Sequence, residues 1–166
     1  MTDGSLVSAI VADWASRVPT PFDVATAGQV FTATDGTSAW IVSPVAGRVV
    51  SLADQSRGTR RLVATTNDSA VIDRYLLCLF ASLVIGPAAQ LPGSKGLPQG
   101  VTIESSPPDQ SGDEPLETIR WGEGLWAQSP VSRGAELRLI ARLLPYSPAD
   151  LHDWFSRQAT ATVPGT

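Results

Sequence analysis

Apolar positions along this chain follow two periods, and the change of period marks out its elements. From Asn67 to Pro87, NDSAVIDRYLLCLFASLVIGP, residues Ile72, Tyr75, Leu76, Leu79, Phe80 and Leu83 share one broad helical face. Leu77 and Val84 point the other way, beside Asp73, so the helix is apolar almost all round and belongs inside the fold. Asn67 and Asp68 suit its start, where side-chain oxygens cap free N–H groups. Gly86 and Pro87 suit its end, since glycine accepts the closing left-handed turn and proline cannot continue the ladder. The uncharged run Tyr75 to Ile85 falls short of the roughly 20 residues that span a bilayer, so a core helix is expected.

Before it, Ser5 to Arg17 places Leu6, Val7, Ile10, Val11 and Trp14 on one stripe, an amphipathic first helix that Pro19 and Pro21 close. Residues 28 to 65 switch to short β-branched and aromatic segments, GQVFTAT, SAWIVSP, GRVVSLA and TRRLVAT. Turn signals at Asp35-Gly36, Pro44 to Gly47 and Asp54 to Gly58 separate them. This predicts a four-stranded antiparallel meander. Alternation alone does not settle its inward face, because Trp40 and Val42 oppose Ile41. After the core helix, Gln90 to Gly100 carries three glycines and two prolines and excludes regular structure. A short strand at Val101 to Glu104, a polar segment Ser105 to Asp113, and a hairpin of Glu114 to Trp121 with Gly124 to Gln128 follow. Arg133 to Leu144 repeats Leu137, Ile140, Ala141 and Leu144 at helical spacing. Ser147-Pro148 restarts a last helix through Arg157, with Leu151, Trp154 and Phe155 inward. The pattern predicts a single α+β domain, 1–166, with residues 158–166 a flexible tail. Its N-terminal helix and its meander, extended by the C-terminal hairpin, pack on a long buried central helix and two C-terminal helices.

Composition narrows the function. A net charge of −4 and a pI of about 4.8 argue against nucleic acid, whose binders carry basic stripes that displace phosphate counterions. The single cysteine, Cys78, lies in the core helix, which excludes a disulfide framework and reads as a small buried hydrophobe rather than a nucleophile. The N-terminal residues show no basic segment leading into an apolar run, and a reducing cytoplasm is expected. The one histidine, His152, has Asp153 beside it, but adjacent helix positions do not face each other, and no G-x-S-x-G elbow nominates a serine. His152 therefore reads as surface. Asp109, Asp113, Glu114 and Glu117 match no calcium loop and read as solvated or partner-facing. No catalytic, cofactor or metal assignment emerges, so the expected class is not an enzyme.

Two stretches stand out as contacts. Arg57, Arg60 and Arg61, with Arg48 one strand earlier, put a third of the 12 basic residues into 14 positions. They read as a solvated hairpin end or as a contact for an acidic partner, since arginine pairs bidentately with carboxylates. In QLPGSKGLPQG, Lys95 is the one lysine of the chain, set between Ser94 and Gly96. Leu91 and Leu97 are placed to pin the base of the loop, which reads as a connector or as a loop inserted into a partner. A phosphate cradle is disfavoured, because the Walker pattern follows a strand and this loop follows a helix.

SLADQSRGTRRLVATT, and VIDRYLLCLFASLV leading to Gly96-Leu97-Pro98, resemble the polymorphic-toxin immunity proteins of the tuberculosis-necrotizing-toxin type, over about residues 28 to 100. The resemblance implies a cytosolic antitoxin without activity of its own. Such a protein would bind an NAD glycohydrolase toxin domain as a one-to-one heterodimer and block its NAD-binding active site. If so, the glycine-rich composition of Gly93, Ser94, Lys95, Gly96 and Leu97 makes them the expected cleft-entering loop, and the charge of Arg57, Arg60 and Arg61 makes them the expected second contact. No membrane, nucleic acid or cofactor is implied. The alternative is a non-enzymatic secretion chaperone or adaptor.

Overall fold

Each turn signal between residues 28 and 65 closes a hairpin in the computed structural model, which describes residues 6–93, 96–106 and 114–161. Strands β1 (Asp23–Ala27), β2 (Val30–Thr34), β3 (Ser38–Ala46), β4 (Val49–Ser56) and β5 (Thr59–Thr66) form an antiparallel meander of five strands rather than four. The added strand, DVATA, is exposed at every position. It is an edge strand without the alternation that marks a half-buried one. Helix α2 (Ser69–Ile85) then crosses the sheet and ends in a 3₁₀ turn at Gly86–Ala88. The chain returns as β6 (Thr102–Ser105), β7 (Leu116–Trp121) and β8 (Leu125–Pro130). Strand β8 docks on β5, giving one eight-stranded antiparallel sheet in the order β1-β2-β3-β4-β5-β8-β7-β6. Helix α1 (Ala9–Arg17), α3 (Gly134–Leu143) and α4 (Pro148–Ala161) complete the α+β fold.

The inward face of β3 is the one carrying Val42, which is fully buried, and Trp40, whose ring meets Tyr75 of α2 edge-on at 6.0 Å. Phe31, Val42, Leu52 and Ala64 align across β2 to β5, and all four are buried. They face α2, whose Ile72, Leu76, Leu77 and Phe80 are 0% exposed. Ser69–Ala88 is long and apolar enough to cross a bilayer by length and composition, longer than its uncharged run suggests. Half of it is buried within the protein, however, against the sheet and the other helices. The broad face also differs in detail from the periodicity: Leu83 is 45% exposed.

Asn67 does not cap α2. Its side chain stitches the sheet, accepting from Trp126 N at 3.0 Å and donating to Gly124 O at 2.8 Å, where β5 and β8 share only a short ladder. The cap is Asp68, whose carboxylate accepts from Ala70 N at 3.1 Å. Helix α4 runs to Ala161 rather than stopping at Arg157, because Gln158 is tied to Gln90, so the tail begins later than position 158. Residues 162–166 lie outside the described residues.

Candidate partner-binding face

The glycine-rich segment after α2 is anchored by side chains from two helices. Arg142, in the last turn of α3, donates to the carbonyls of Leu91, Pro92 and Gly93 at 2.9, 2.8 and 3.0 Å. Its planar fork suits consecutive carbonyls in a way a lysine does not. One residue earlier, Trp154 Nε1 and Gln158 Nε2 donate to Gln90 O at 2.8 and 3.0 Å, and Gln90 N donates to Gln158 Oε1 at 2.8 Å. Gly93 sits at φ +75, a backbone conformation that favours glycine, and a Cβ there would press on Tyr146 Oη at 3.2 Å. Gly93, Gly96, Pro98, Arg142, Pro145 and Tyr146 bound a small recess of about 180 Å³. Of the expected loop residues, Gly93, Gly96 and Leu97 are exposed, while Ser94 and Lys95 lie outside the described residues. Leu91 packs on the core, but Leu97 does not pin the base: it is 46% exposed.

The arginine cluster of the sequence does not persist in space. Arg48 occupies the β3–β4 turn, whereas Arg57 occupies the β4–β5 turn at the far end of β4, so the two are separated by the length of that strand. Arg60 and Arg61 are neighbours on β5 and leave on opposite faces of the sheet. Arg61 pairs across the ladder with Asp54, whose partner on β3 is the inward-facing Trp40. Arg60 pairs with Gln55 and reaches Ser43 Oγ at 3.5 Å on the outer face. Arg57 and Arg61, with Asp54, Ser56 and Thr59, line an open polar cleft of about 410 Å³.

Helix α3 joins the two regions. At its start, Arg133 bridges Asp54 of β4 and Glu136, while Arg142 near its end holds the loop. Hydrogen bonding to Glu136 is the main influence holding the Arg133 guanidinium above its usual range. Ten helical residues at about 1.5 Å each put the loop and the arginine cleft on the order of 15 Å apart along one helix. An apolar groove of about 310 Å³ lies beside that helix, lined by Tyr75, Cys78, Leu79, Leu139 and the 86–91 segment. Burial raises the Tyr75 hydroxyl well above its ordinary range and pushes the Cys78 thiol to about 11, so both stay protonated near neutrality.

The residues considered for catalysis have other roles here. His152 is not simple surface: its Nδ1 accepts from the indole Nε1 of the fully buried Trp14 at 3.1 Å. Glu114 accepts from Ser132 N at 2.6 Å, and Glu117 lies 3.6 Å from Arg138. Asp109 and Asp113 lie outside the described residues. Nothing in the sequence marks Arg142, Trp154 and Gln158 as anchors of the loop. Their targets are backbone atoms, which carry no residue signature.

The class this architecture defines is an α+β protein with an antiparallel eight-stranded sheet and four helices. Among solved structures it is similar to Rv3902c from M. tuberculosis, with a TM-score of 0.69 over 90% of this chain and 88% of that one at 17% identity, which shows a shared fold. No protein-family model matches the chain, and no curated protein matches it.

Proposed function

We propose that this chain is an immunity protein that binds a cognate NAD glycohydrolase toxin domain one-to-one and keeps NAD out of its active site. The observation that supports this most is the triple anchoring of Leu91, Pro92 and Gly93 by Arg142, beside an exposed Gly96-Leu97. Residues 91–93, so braced, need no further ordering when a partner meets them, and pre-organisation of this kind favours affinity. A thin glycine backbone fits a pocket shaped for a dinucleotide where a bulky side chain does not. A stable inhibitor interface covers about 800 Å² on each partner, more than one loop offers. The groove beside α3 and the Arg57–Arg61 cleft, which Asp54 links to Arg133 at the start of that helix, are the further area this reading draws on. In this reading the protein acts in the cytoplasm as a heterodimer, without turnover, cofactor, nucleic acid or membrane.

The test is NAD hydrolysis by the purified toxin domain, titrated with the full chain, alongside calorimetric stoichiometry. Loss of turnover at one equivalent supports the proposal. Binding with turnover intact makes the protein a chaperone or adaptor instead, and absence of binding rejects both.

A further inference from the structure

The β4–β5 hairpin turns on a residue that the turn does not favour. Arg57 is the one residue other than glycine with positive φ among the described residues, at 50°, and Gly58 follows at 81°. Ser56 and Thr59 pair across the ladder on either side, so the connection is a two-residue turn. Positive φ at both central positions is the geometry that selects Asn-Gly. An arginine there carries the Cβ crowding that glycine escapes and asparagine tolerates. Strain held at a position where another residue would relieve it points to the side chain as the reason.

That side chain lines the cleft of about 410 Å³ with Arg61, Ser56, Thr59 and Asp54. No side-chain hydrogen bond or ion pair engages the Arg57 or Arg61 guanidinium among the described residues. The anion already in the cleft is committed elsewhere, because Asp54 pairs with Arg133. Two unpaired guanidinium groups and two hydroxyls therefore share one open recess in a protein of net charge −4.

We infer that this cleft docks one carboxylate of a protein partner, an Asp or Glu side chain gripped between Arg57 and Arg61. A planar carboxylate accepts the paired N–H bonds a guanidinium fork presents. A phosphate would call for converging backbone N–H groups, and the Arg57 N–H is turned to Thr37 O at 3.5 Å. Arg60, adjacent in sequence, stands outside the site because strand alternation sends it to the outer face toward Ser43. The inference rests on the proposed function only for the identity of the partner.

Arg60 supplies an internal control, since R60Q removes the same charge as R61Q from the other face. Two measurements on the full chain test the site. In the first, the side-chain Nε–Hε resonances are followed during titration with acetyl-Gly-Glu-Gly-amide and, separately, inorganic phosphate. The peptide is expected to shift Arg57 and Arg61 and leave Arg60 still. Equal movement of all three, or a response to phosphate alone, overturns the inference whether or not a toxin domain binds. In the second, affinity for the toxin domain is measured for R57N, R61Q and R60Q. R57N and R61Q are expected to weaken binding about tenfold and R60Q less than twofold. R57N should also raise the urea midpoint, because asparagine relaxes the turn, which separates loss of contact from loss of fold. Weakening by R60Q as large as by R61Q, or intact binding in R61Q, overturns the site while leaving inhibition itself standing. Peptide shifts without toxin binding would reject the proposed function and support the site.

Discussion

Replacing Arg142 by methionine keeps most of the aliphatic stem and removes the fork that grips Leu91, Pro92 and Gly93. A hydrogen bond to a charged donor contributes about 1.5–3 kcal/mol, but these three share one group, and the carbonyl of the exposed Gly93 is open to water once freed. The net cost to folding is therefore about 2 kcal/mol, which at a urea slope of about 2 kcal/mol/M lowers the midpoint by about 1 M. The loop itself loses more than the body. Each residue released from a fixed backbone recovers about 1–2 kcal/mol of entropy, which a binding partner must remove again. With Gln90 still held by Trp154 and Gln158, about 2–3 kcal/mol of extra ordering remains, so inhibition of the toxin domain should weaken about 30- to 150-fold. Hydrogen exchange at the Leu91 and Gly93 amides should accelerate, while Trp fluorescence reports an intact core. Arg142→Lys keeps the charge without the fork and should fall between the two. If Arg142→Met frees these amides yet inhibits as tightly as the parent, a pre-shaped loop plays no part in binding.

Three further perturbations probe separate parts of the account. Leu97→Asp changes a 46% exposed side chain, so the unfolding free energy from urea melts should move by about 0.5 kcal/mol or less while affinity for the toxin domain drops at least tenfold; unchanged affinity would remove Leu97 from the interface. Asp73 on α2 accepts from Ser8 N at 3.0 Å, and burial raises its carboxyl above the ordinary aspartate value of 3.8. A raised native value means that the folded state holds the proton longer, so this group's contribution is greatest below about pH 3.8 and is lost as pH rises through the native value. Asp73→Asn keeps an acceptor for Ser8 and should therefore gain on the parent from pH 3.5 to 7 in urea melts; a gap that is constant with pH would contradict this. His152→Ala leaves the buried Trp14 N–H without its acceptor and should cost about 1–3 kcal/mol, and most of that cost should vanish in a Trp14→Phe background. Equal cost in both backgrounds would show that His152 acts by packing alone.

Where local chemistry decides the structure, the sequence announces it. Gly36, Gly47 and Gly58 all adopt positive φ at the expected turns, and Gly86 ends α2 as the helix-stop pattern predicts. The meander and the buried central helix follow from those signals and from period. What escapes is long-range or anonymous. Strand β1 has no apolar alternation and stays exposed at all five positions, and β8 reaches β5 only after the chain has crossed α2 and the loop. The four arginines crowd together in sequence, yet strand length separates Arg48 from Arg57 and alternation separates Arg60 from Arg61. Arg142 looks like any basic residue in the last turn of a helix. Its carbonyl partners lie about fifty positions away and give no side-chain clue. The loop's composition is visible in the sequence, but the bracing of Leu91, Pro92 and Gly93 is not.

The central claim is that this protein obstructs another enzyme's NAD pocket with a braced glycine-rich loop. The most direct measurement is the rate of NAD hydrolysis by the toxin domain as the full chain is added, repeated at rising NAD concentration. The account predicts a fall to baseline at one equivalent of the chain, with onset of inhibition slowed by NAD. Hydrolysis that continues unabated at several equivalents, or inhibition indifferent to NAD, would contradict it.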